Sequence, residues 1–210
     1  MLHSVLPILA SAGLAMAGAV ALIGLPNQMA APVMAPERQA AAPLPGAMPF
    51  PVEIVAEFDL TDHHGQRVTE KDYLGRPMLL FFGYGSCDAI CSVALPRMGQ
   101  ALTEMGPQGA EIAALMVTVD PDRDTPEAMR QGLARWHERL VGLTGSEEAL
   151  ADLRARFQVN LEEVAEDPTG APIYAHGSFI YVIGRDGKVA TMLPPILGPE
   201  RIAEVAMGYF

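Results

Sequence analysis

Two short, uninterrupted apolar runs constrain the fold of this chain more than any other feature of its sequence. The first, MLLFFGY, covers residues 78–84, and the second, IAALMVTV, covers residues 112–119. Continuous apolar runs of this length are typical of strands that are buried on both faces of a sheet. From about residue 88 to residue 105, apolar side chains recur at helical spacing. The sequence therefore predicts a strand–helix–strand unit inside an α/β domain.

The remaining elements continue this alternation of strands and helices. Thr125 and Ser146 are suited to cap the N-termini of helices, because their hydroxyl groups can accept backbone N–H bonds in the first turn. The other predicted elements are a strand at residues 52–60, a turn at 62–65, helices at 126–139 and 147–157, a short strand at 141–145, a hairpin at 178–193 that turns at Asp186 and Gly187, and a final helix at 199–210. This order implies one sheet with helices on both faces.

The N-terminal part of the chain differs from the rest. Residues 4–25 contain no charged side chain and are about long enough to cross a bilayer as a helix. We favour an uncleaved membrane anchor over a signal peptide, because the apolar run is long and residues 28–30 make a poor cleavage site. Either segment would export the rest of the chain and so permit disulfides. Residues 26–51, rich in Ala, Pro and Met, are predicted to be a linker, and residues 52–210 the globular domain.

The charge of the chain excludes some classes of function. Its formal net charge is −11, and it has no cluster of Lys or Arg. A protein that binds nucleic acid needs basic side chains to neutralise phosphates, and a polybasic membrane-surface patch needs them as well. We therefore expect no nucleic-acid partner.

The only two cysteines, Cys87 and Cys91, lie where the first buried strand ends and the following helix begins. Functional sites of open α/β sheets collect at the carboxyl ends of strands, and a helix N-terminus favours thiolate over thiol. A disulfide that closes so small a loop would remove little entropy from the unfolded chain. A redox pair or a soft-metal site is therefore better supported than a purely structural disulfide, although all three remain open.

A metal site would need a further donor. Two thiolates favour Cu(I), whereas structural zinc would require four protein ligands. Among the histidines, His176 is the best candidate, because it directly precedes a predicted strand and a loop could carry it to the cysteine end of the sheet. The other histidines have simpler explanations: His3 precedes the apolar run, His63 and His64 lie in a turn expected to be solvated, and His137 lies in a predicted helix.

Several motifs in the right order resemble the SCO/SenC family of copper-handling proteins that assemble cytochrome c oxidase. FFGYGSCDAIC is similar to that family's FFGYTHCPDIC, and VTVDPDRDTPEAM to its VDPxRDTPE segment. WHERLVGLTGS and AHGSFIYVIGRDGKV also match family segments. The resemblance covers about residues 58–206, nearly the whole globular part.

The resemblance implies a thioredoxin-like fold with a central mixed sheet. It also implies that Cys87, Cys91 and His176 surround one copper ion. The implied task is to receive copper and deliver it to the Cu(A) site of cytochrome c oxidase subunit II, or to reduce the cysteines of that site. The expected location is the bacterial inner membrane, with the domain in the periplasm; the mitochondrial inner membrane is the alternative. Two other functions remain open: a metal-free thiol–disulfide oxidoreductase, which would be an enzyme, and a divergent copper or redox sensor.

The chain departs from the family pattern at three places near the expected ligands. Asp88 replaces the usual Pro, Gly85 and Ser86 replace Thr-His, and Ala175 replaces the Asp that precedes the metal-binding histidine. An acidic neighbour can orient a histidine or tune a metal. Loss of that Asp therefore affects redox tuning or partner choice more than the donors themselves. Asp88 is a hypothetical source of the missing carboxylate.

Overall fold

The computed structural model describes residues 53–85 and 91–209, so the predicted membrane segment and linker lie outside it. The strands are β1 (Asp59–Asp62), β2 (Arg67–Thr69), β3 (Met78–Gly83), β4 (Ala113–Thr118), β5 (Leu140–Thr144), β6 (Leu161–Glu166), β7 (Pro172–His176), β8 (Ile180–Ile183) and β9 (Val189–Leu193). The helices are α1 (Cys91–Glu104), α2 (Pro126–Ala134), α3 (Glu147–Arg156) and α4 (Pro199–Met207). Within these described ranges, no helix is long and apolar enough to cross a membrane.

Most of the strands form one mixed sheet with seven strands in the order β2-β1-β5-β4-β3-β8-β9. The central pairs β3–β4 and β4–β5 are parallel, and the outer pairs are antiparallel. Every residue of β3 and β4 is buried. The two continuous apolar runs thus form the buried central strands that the sequence predicts.

Helices cover both faces of this sheet. The connections β3–α1–β4 and β4–α2–β5 step across the sheet in the same direction, so right-handed crossovers place α1 and α2 on one face. On the opposite face, Phe157 at the end of α3 packs edge-on against Phe82 and Tyr181, with ring centroids 5.3 and 4.9 Å away. The mixed sheet and its two helical layers confirm the α/β, thioredoxin-like fold.

Two helix starts agree with the sequence, and one helix end does not. The hydroxyl oxygens of Thr125 and Ser146 each accept a backbone N–H bond of 3.2 Å in the first turn of α2 and α3. However, α2 ends at Ala134 rather than at residue 139, because the chain turns there and packs against α1. Gly99 of α1 lies so close to the carbonyl of Trp136 that a Cβ at that glycine would be 2.7 Å from the oxygen.

The hairpin formed by β6 and β7 is a separate two-stranded sheet that the sequence analysis did not predict. All residues of β6 after Leu161 are exposed, so the strand lacks the alternation of apolar and polar residues that marks a half-buried strand. Its turn does carry a sequence signal. The Asp167 carboxylate accepts the N–H groups of Thr169 and Ala171 at 2.8 and 3.0 Å, and Gly170 has a φ of 83°.

Candidate metal centre

The expected ligand His176 is the last residue of β7, so a strand rather than a loop carries it. Its ring is edge-on to the rings of Phe81 and Tyr84, with centroids 6.0 and 5.9 Å away. Phe81 belongs to β3, and Tyr84 follows that strand directly. The histidine therefore lies at the carboxyl end of β3, beside the segment that leads into Cys87.

The hydrogen bond of His176 bears on which ring nitrogen can meet a metal. Nδ1 lies 3.0 Å from the carbonyl oxygen of Gly177, which can only accept. Nδ1 therefore carries the proton in this bond, and a neutral imidazole then has its lone pair on Nε2. A backbone carbonyl that fixes the tautomer in this way is a common partner of metal-binding histidines.

The cysteine pair falls largely outside the described residues. Cys91 is placed as the first residue of α1, but neither its side chain nor any part of Cys87 and Asp88 is described. Among the residues that are described, no three His, Cys, Asp or Glu side chains form a group able to hold a metal. The three expected ligands therefore stay a prediction, with His176 placed and the two sulfur atoms not.

A buried carboxylate holds the chain just before the cysteines. Both carboxylate oxygens of Asp124 lie 3.0 Å from the backbone N–H of Gly85, and one accepts the Thr118 hydroxyl at 2.7 Å. Burial raises the pKa of Asp124 above its usual 3.8, while the bonds from Thr118 and Gly85 oppose that shift. The guanidinium of Arg135 donates to the Gly85 carbonyl at 3.2 Å. Both backbone groups of Gly85 are thus bonded where β3 leads into the cysteine segment.

The side chain of Tyr84 joins the end of β3 to the histidine-bearing hairpin. Tyr84 is buried, and its hydroxyl accepts the backbone N–H of Tyr174 in β7 at 3.3 Å. The rings of Tyr84 and Tyr174 meet edge-on at 5.9 Å. Sequence analysis assigned no role to Tyr84 or Asp124, although both lie in motifs shared with the SCO/SenC pattern. Their roles become visible only in the structure, where Asp124 bonds to Gly85 and Tyr84 bonds to Tyr174.

The structure shows where the side chain of Ala175, which replaces the family aspartate, lies relative to His176. Successive residues of a strand point to opposite faces, so the side chains of Ala175 and His176 diverge. Ala175 is exposed and lies opposite Glu162 of β6. A carboxylate at position 175 would therefore add charge to the exposed face of the hairpin rather than contact the histidine ring directly.

The remaining described histidines are not at this site. His63, which was expected to be solvated, is buried, and its Nδ1 accepts the backbone N–H of Gly142 at 2.9 Å. Its Nε2 lies 3.0 Å from Nε2 of the exposed His64. The sequence did not predict this burial, because a turn lacks the apolar periodicity that marks buried positions in helices and strands. The Nδ1 atom of His137 accepts the Arg139 N–H at 3.1 Å, so this residue caps a turn beyond the end of α2 rather than lying inside the predicted helix.

A family model for SCO1/SenC matches residues 46–209, which include the whole described domain. The chain belongs to the SCO1/SenC family. Among its relatives is a mitochondrial SCO2 homologue from Danio rerio, 37% identical over 150 residues, which cover 70% of this chain and 54% of that protein. The chain thus spans about half the length of this SCO relative.

Solved structures from the family agree with the fold. Bradyrhizobium japonicum ScoI, a structure with copper bound, is 32% identical with a TM-score of 0.69, and the match covers 75% of this chain and 99% of that one. BsSco, described as a member of the Sco family of cytochrome c oxidase assembly proteins with a disulfide switch, is 20% identical with a TM-score of 0.60; the match covers 77% and 97%. At 20% identity, the similarity to BsSco supports only the fold.

Proposed function

We propose that this chain is a membrane-tethered copper chaperone that binds Cu(I) or Cu(II) through Cys87, Cys91 and His176. Its client would be the Cu(A) site of cytochrome c oxidase subunit II or a similar copper-accepting protein. Residues 4–25 would anchor the chain in the bacterial inner membrane and place the domain in the periplasm. Family membership supports the general role, and the copper-bound ScoI at 32% identity supports copper as the cargo.

One observation carries the proposal for this particular chain. The ring of His176 lies beside Phe81 and Tyr84 at the carboxyl end of β3, directly before the segment that contains Cys87. A candidate donor that is distant in sequence thereby lies at the end of the strand that the cysteine-containing segment follows in sequence, and this supports the proposal. Thiolates are soft ligands that suit Cu(I), and imidazole also suits Cu(II).

The donor set fits a carrier better than a permanent site. Three protein donors leave room in the copper coordination sphere for a ligand from a client protein. The client could then replace the donors one at a time, so the ion never has to pass free through solution. The Nε2 lone pair of His176, set by the Nδ1 bond to Gly177, would be one of the exchanged ligands.

Copper titration of the reduced full-length protein against a competing Cu(I) chelator tests the proposal. We expect Cys87→Ser, Cys91→Ser and His176→Ala each to weaken binding, by at least the roughly 10–100-fold typical of losing a partner that supports a metal ligand. His64→Ala is the matched control, because His64 is an exposed histidine in the turn between β1 and β2. A wild-type protein that binds Cu(I) no better than Cys87→Ser would refute the proposal.

A thiol–disulfide oxidoreductase is the second candidate. Cys91 begins α1, where the partial positive charge of the helix N-terminus favours a reactive thiolate. Metal-free protein that catalyses reduction of a client disulfide, with the activity abolished by Cys87→Ser and unaffected by His176→Ala, would favour this enzyme. Copper binding without transfer to any client would instead favour a sensor.

A further inference from the structure

Arg123, in the loop after β4, bonds to the hairpin that carries His176. Its guanidinium pairs with the buried carboxylate of Asp120 in its own loop. It also donates to the carbonyl of Pro172, the first residue of β7, at 2.5 Å. The third guanidinium nitrogen lies 3.9 Å from the carboxylate of Asp167 in the hairpin turn. One side chain thus joins the loop after β4 to the turn end of the hairpin, where β7 begins.

The same guanidinium also contacts the end of β3. Its central carbon lies 5.5 Å from the centroid of the Tyr84 ring, within the range of a cation–π interaction. Tyr84 in turn contacts the ring of His176 and accepts the N–H of Tyr174. Arg123 is therefore in contact with two segments: the one that leads to the cysteines and the one that ends in the histidine.

The loop that carries Arg123 is itself well fixed. The backbone N–H of Asp120 donates to the Thr118 hydroxyl, and the N–H of Asp124 donates to the Asp120 carbonyl, both at 2.9 Å. Asp124 then bonds to Gly85 at the end of β3. Two consecutive residues, Arg123 and Asp124, consequently hold the hairpin and the strand end on one rigid support.

We propose that Arg123 is a positioning residue of the copper site, which holds β7, and with it the imidazole of His176, against the end of β3. This inference rests on the copper-binding function proposed above. Arginine is suited to the role because its planar group can donate to Asp120 and Pro172 at once while its face covers Tyr84. A lysine has a single ammonium group and cannot make all three contacts together.

A double-mutant cycle on the full-length protein tests this role. Arg123→Gln is compared with wild type, and again in the His176→Ala background, by Cu(I) chelator competition. We expect about tenfold weaker binding in the first background, the lower end of the effect of losing a partner that orients a ligand. We expect no further loss in the second, because no imidazole remains to be positioned. An equal loss in both backgrounds, or no loss in either, overturns the inference.

Three further comparisons sharpen the outcome. Arg130→Gln, which breaks an exposed ion pair with Glu127 on α2, is the matched control and should leave binding unchanged. Arg123→Lys should bind more weakly than wild type; full affinity would overturn the need for the guanidinium. In the Cu(II) form, Arg123→Gln should weaken nitrogen hyperfine coupling while thiolate-to-copper absorption persists.

The outcomes also separate this inference from the proposed function. Wild-type protein that does not bind copper refutes both. Wild-type protein that binds copper, together with an Arg123→Gln variant that keeps full affinity, refutes the inference alone. If Arg123→Gln does not fold, as judged by its thermal unfolding transition, the Arg123→Lys variant replaces it in the cycle with the same expected loss.

Discussion

Both carboxylate oxygens of Asp124 lie 3.0 Å from the backbone N–H of Gly85, so a residue after β4 bonds directly to the end of β3. The approach is close: a Cβ added at Gly85 would lie 3.0 Å from one of these oxygens. A larger residue at this position, such as the threonine usual in the family, would require a small shift of the carboxylate. This contact fixes the chain just before the cysteine segment.

Replacing Asp124 with asparagine should destabilise the domain. One carboxylate oxygen accepts both the Gly85 N–H and the Thr118 hydroxyl, and an amide oxygen can do the same. The NH₂ group of asparagine would then replace the other carboxylate oxygen, which lies 3.0 Å from the Gly85 nitrogen, so that a donor would face a donor. We expect a loss of about 1–3 kcal/mol in the free energy of unfolding, the usual cost of an unsatisfied buried group. Denaturant unfolding of Asp124→Asn measures it. Asp152→Asn, at an exposed position of α3, is the control and should change stability little; equal effects of the two variants would contradict the argument.

His63 should make the stability of the domain sensitive to mild acid. Burial lowers the pKa of His63 below 6.5, and the neighbouring positive charges of His64 and Arg130 lower it further, against an opposing effect of Asp62. The unfolded chain therefore binds the proton at higher pH than the folded chain, so this contribution is complete above about pH 6.5 and is lost as the pH falls below it. Protonation at Nδ1 would also remove the acceptor for Gly142.

Unfolding curves recorded between about pH 7.5 and pH 5 check this expectation. His63→Gln should be less sensitive to pH over this range than wild type, whatever its stability at neutral pH. His64→Gln, which leaves the buried imidazole in place, should retain most of the sensitivity. A His63→Gln variant with the same pH dependence as wild type would show that another group is responsible.

Phe157 should be among the most sensitive core positions. Its side chain is 1% exposed and packs against Phe82 and Tyr181, and its carbonyl accepts the Tyr181 hydroxyl at 3.2 Å. We expect Phe157→Ala to cost about 3–5 kcal/mol in the free energy of unfolding, because it removes apolar contacts and leaves a cavity. Leu74→Ala, at a residue that is 46% exposed, should cost much less in the same denaturant experiment. A cost below that of the control would mean that this face of the sheet repacks.

Restoring the family aspartate at position 175 should leave copper affinity almost unchanged. Ala175 is exposed on the face of β7 opposite to His176, so Ala175→Asp is expected to alter Cu(I) affinity by no more than about 0.5 kcal/mol, as for most surface substitutions. Transfer of copper to a client protein is the property that this added charge should change. Tenfold tighter binding by the variant would instead show that the carboxylate reaches the metal site.

The sequence predicted the parts of the fold whose signals are local. The apolar runs of β3 and β4 and the caps at Thr125 and Ser146 each depend on neighbouring residues, and each is confirmed. The β6–β7 hairpin was missed because β6 is exposed along its length and carries no apolar periodicity. The early end of α2 was missed because it depends on packing against Gly99 of another helix.

The residues of the candidate site likewise fall into those that the sequence could predict and those that it could not. His176 could be selected from its position before a predicted strand and from the family pattern. Tyr84 and Asp124 could not, because their roles arise from contacts with Tyr174 and Gly85, which lie far away in sequence. The burial of His63 likewise depends on Gly142 of β5, a neighbour that a turn sequence does not reveal.

The two-stranded sheet that bears His176 has a consequence for how the site opens. Its strands pair with each other and not with the seven-stranded sheet. Local opening of the hairpin would break its contacts with Arg123 and Tyr84 but no strand pairing of the seven-stranded sheet, and amide hydrogen exchange would detect it. If His176 binds copper as proposed, the free energy of that local event, rather than the global stability of the domain, would set how readily the histidine releases the ion.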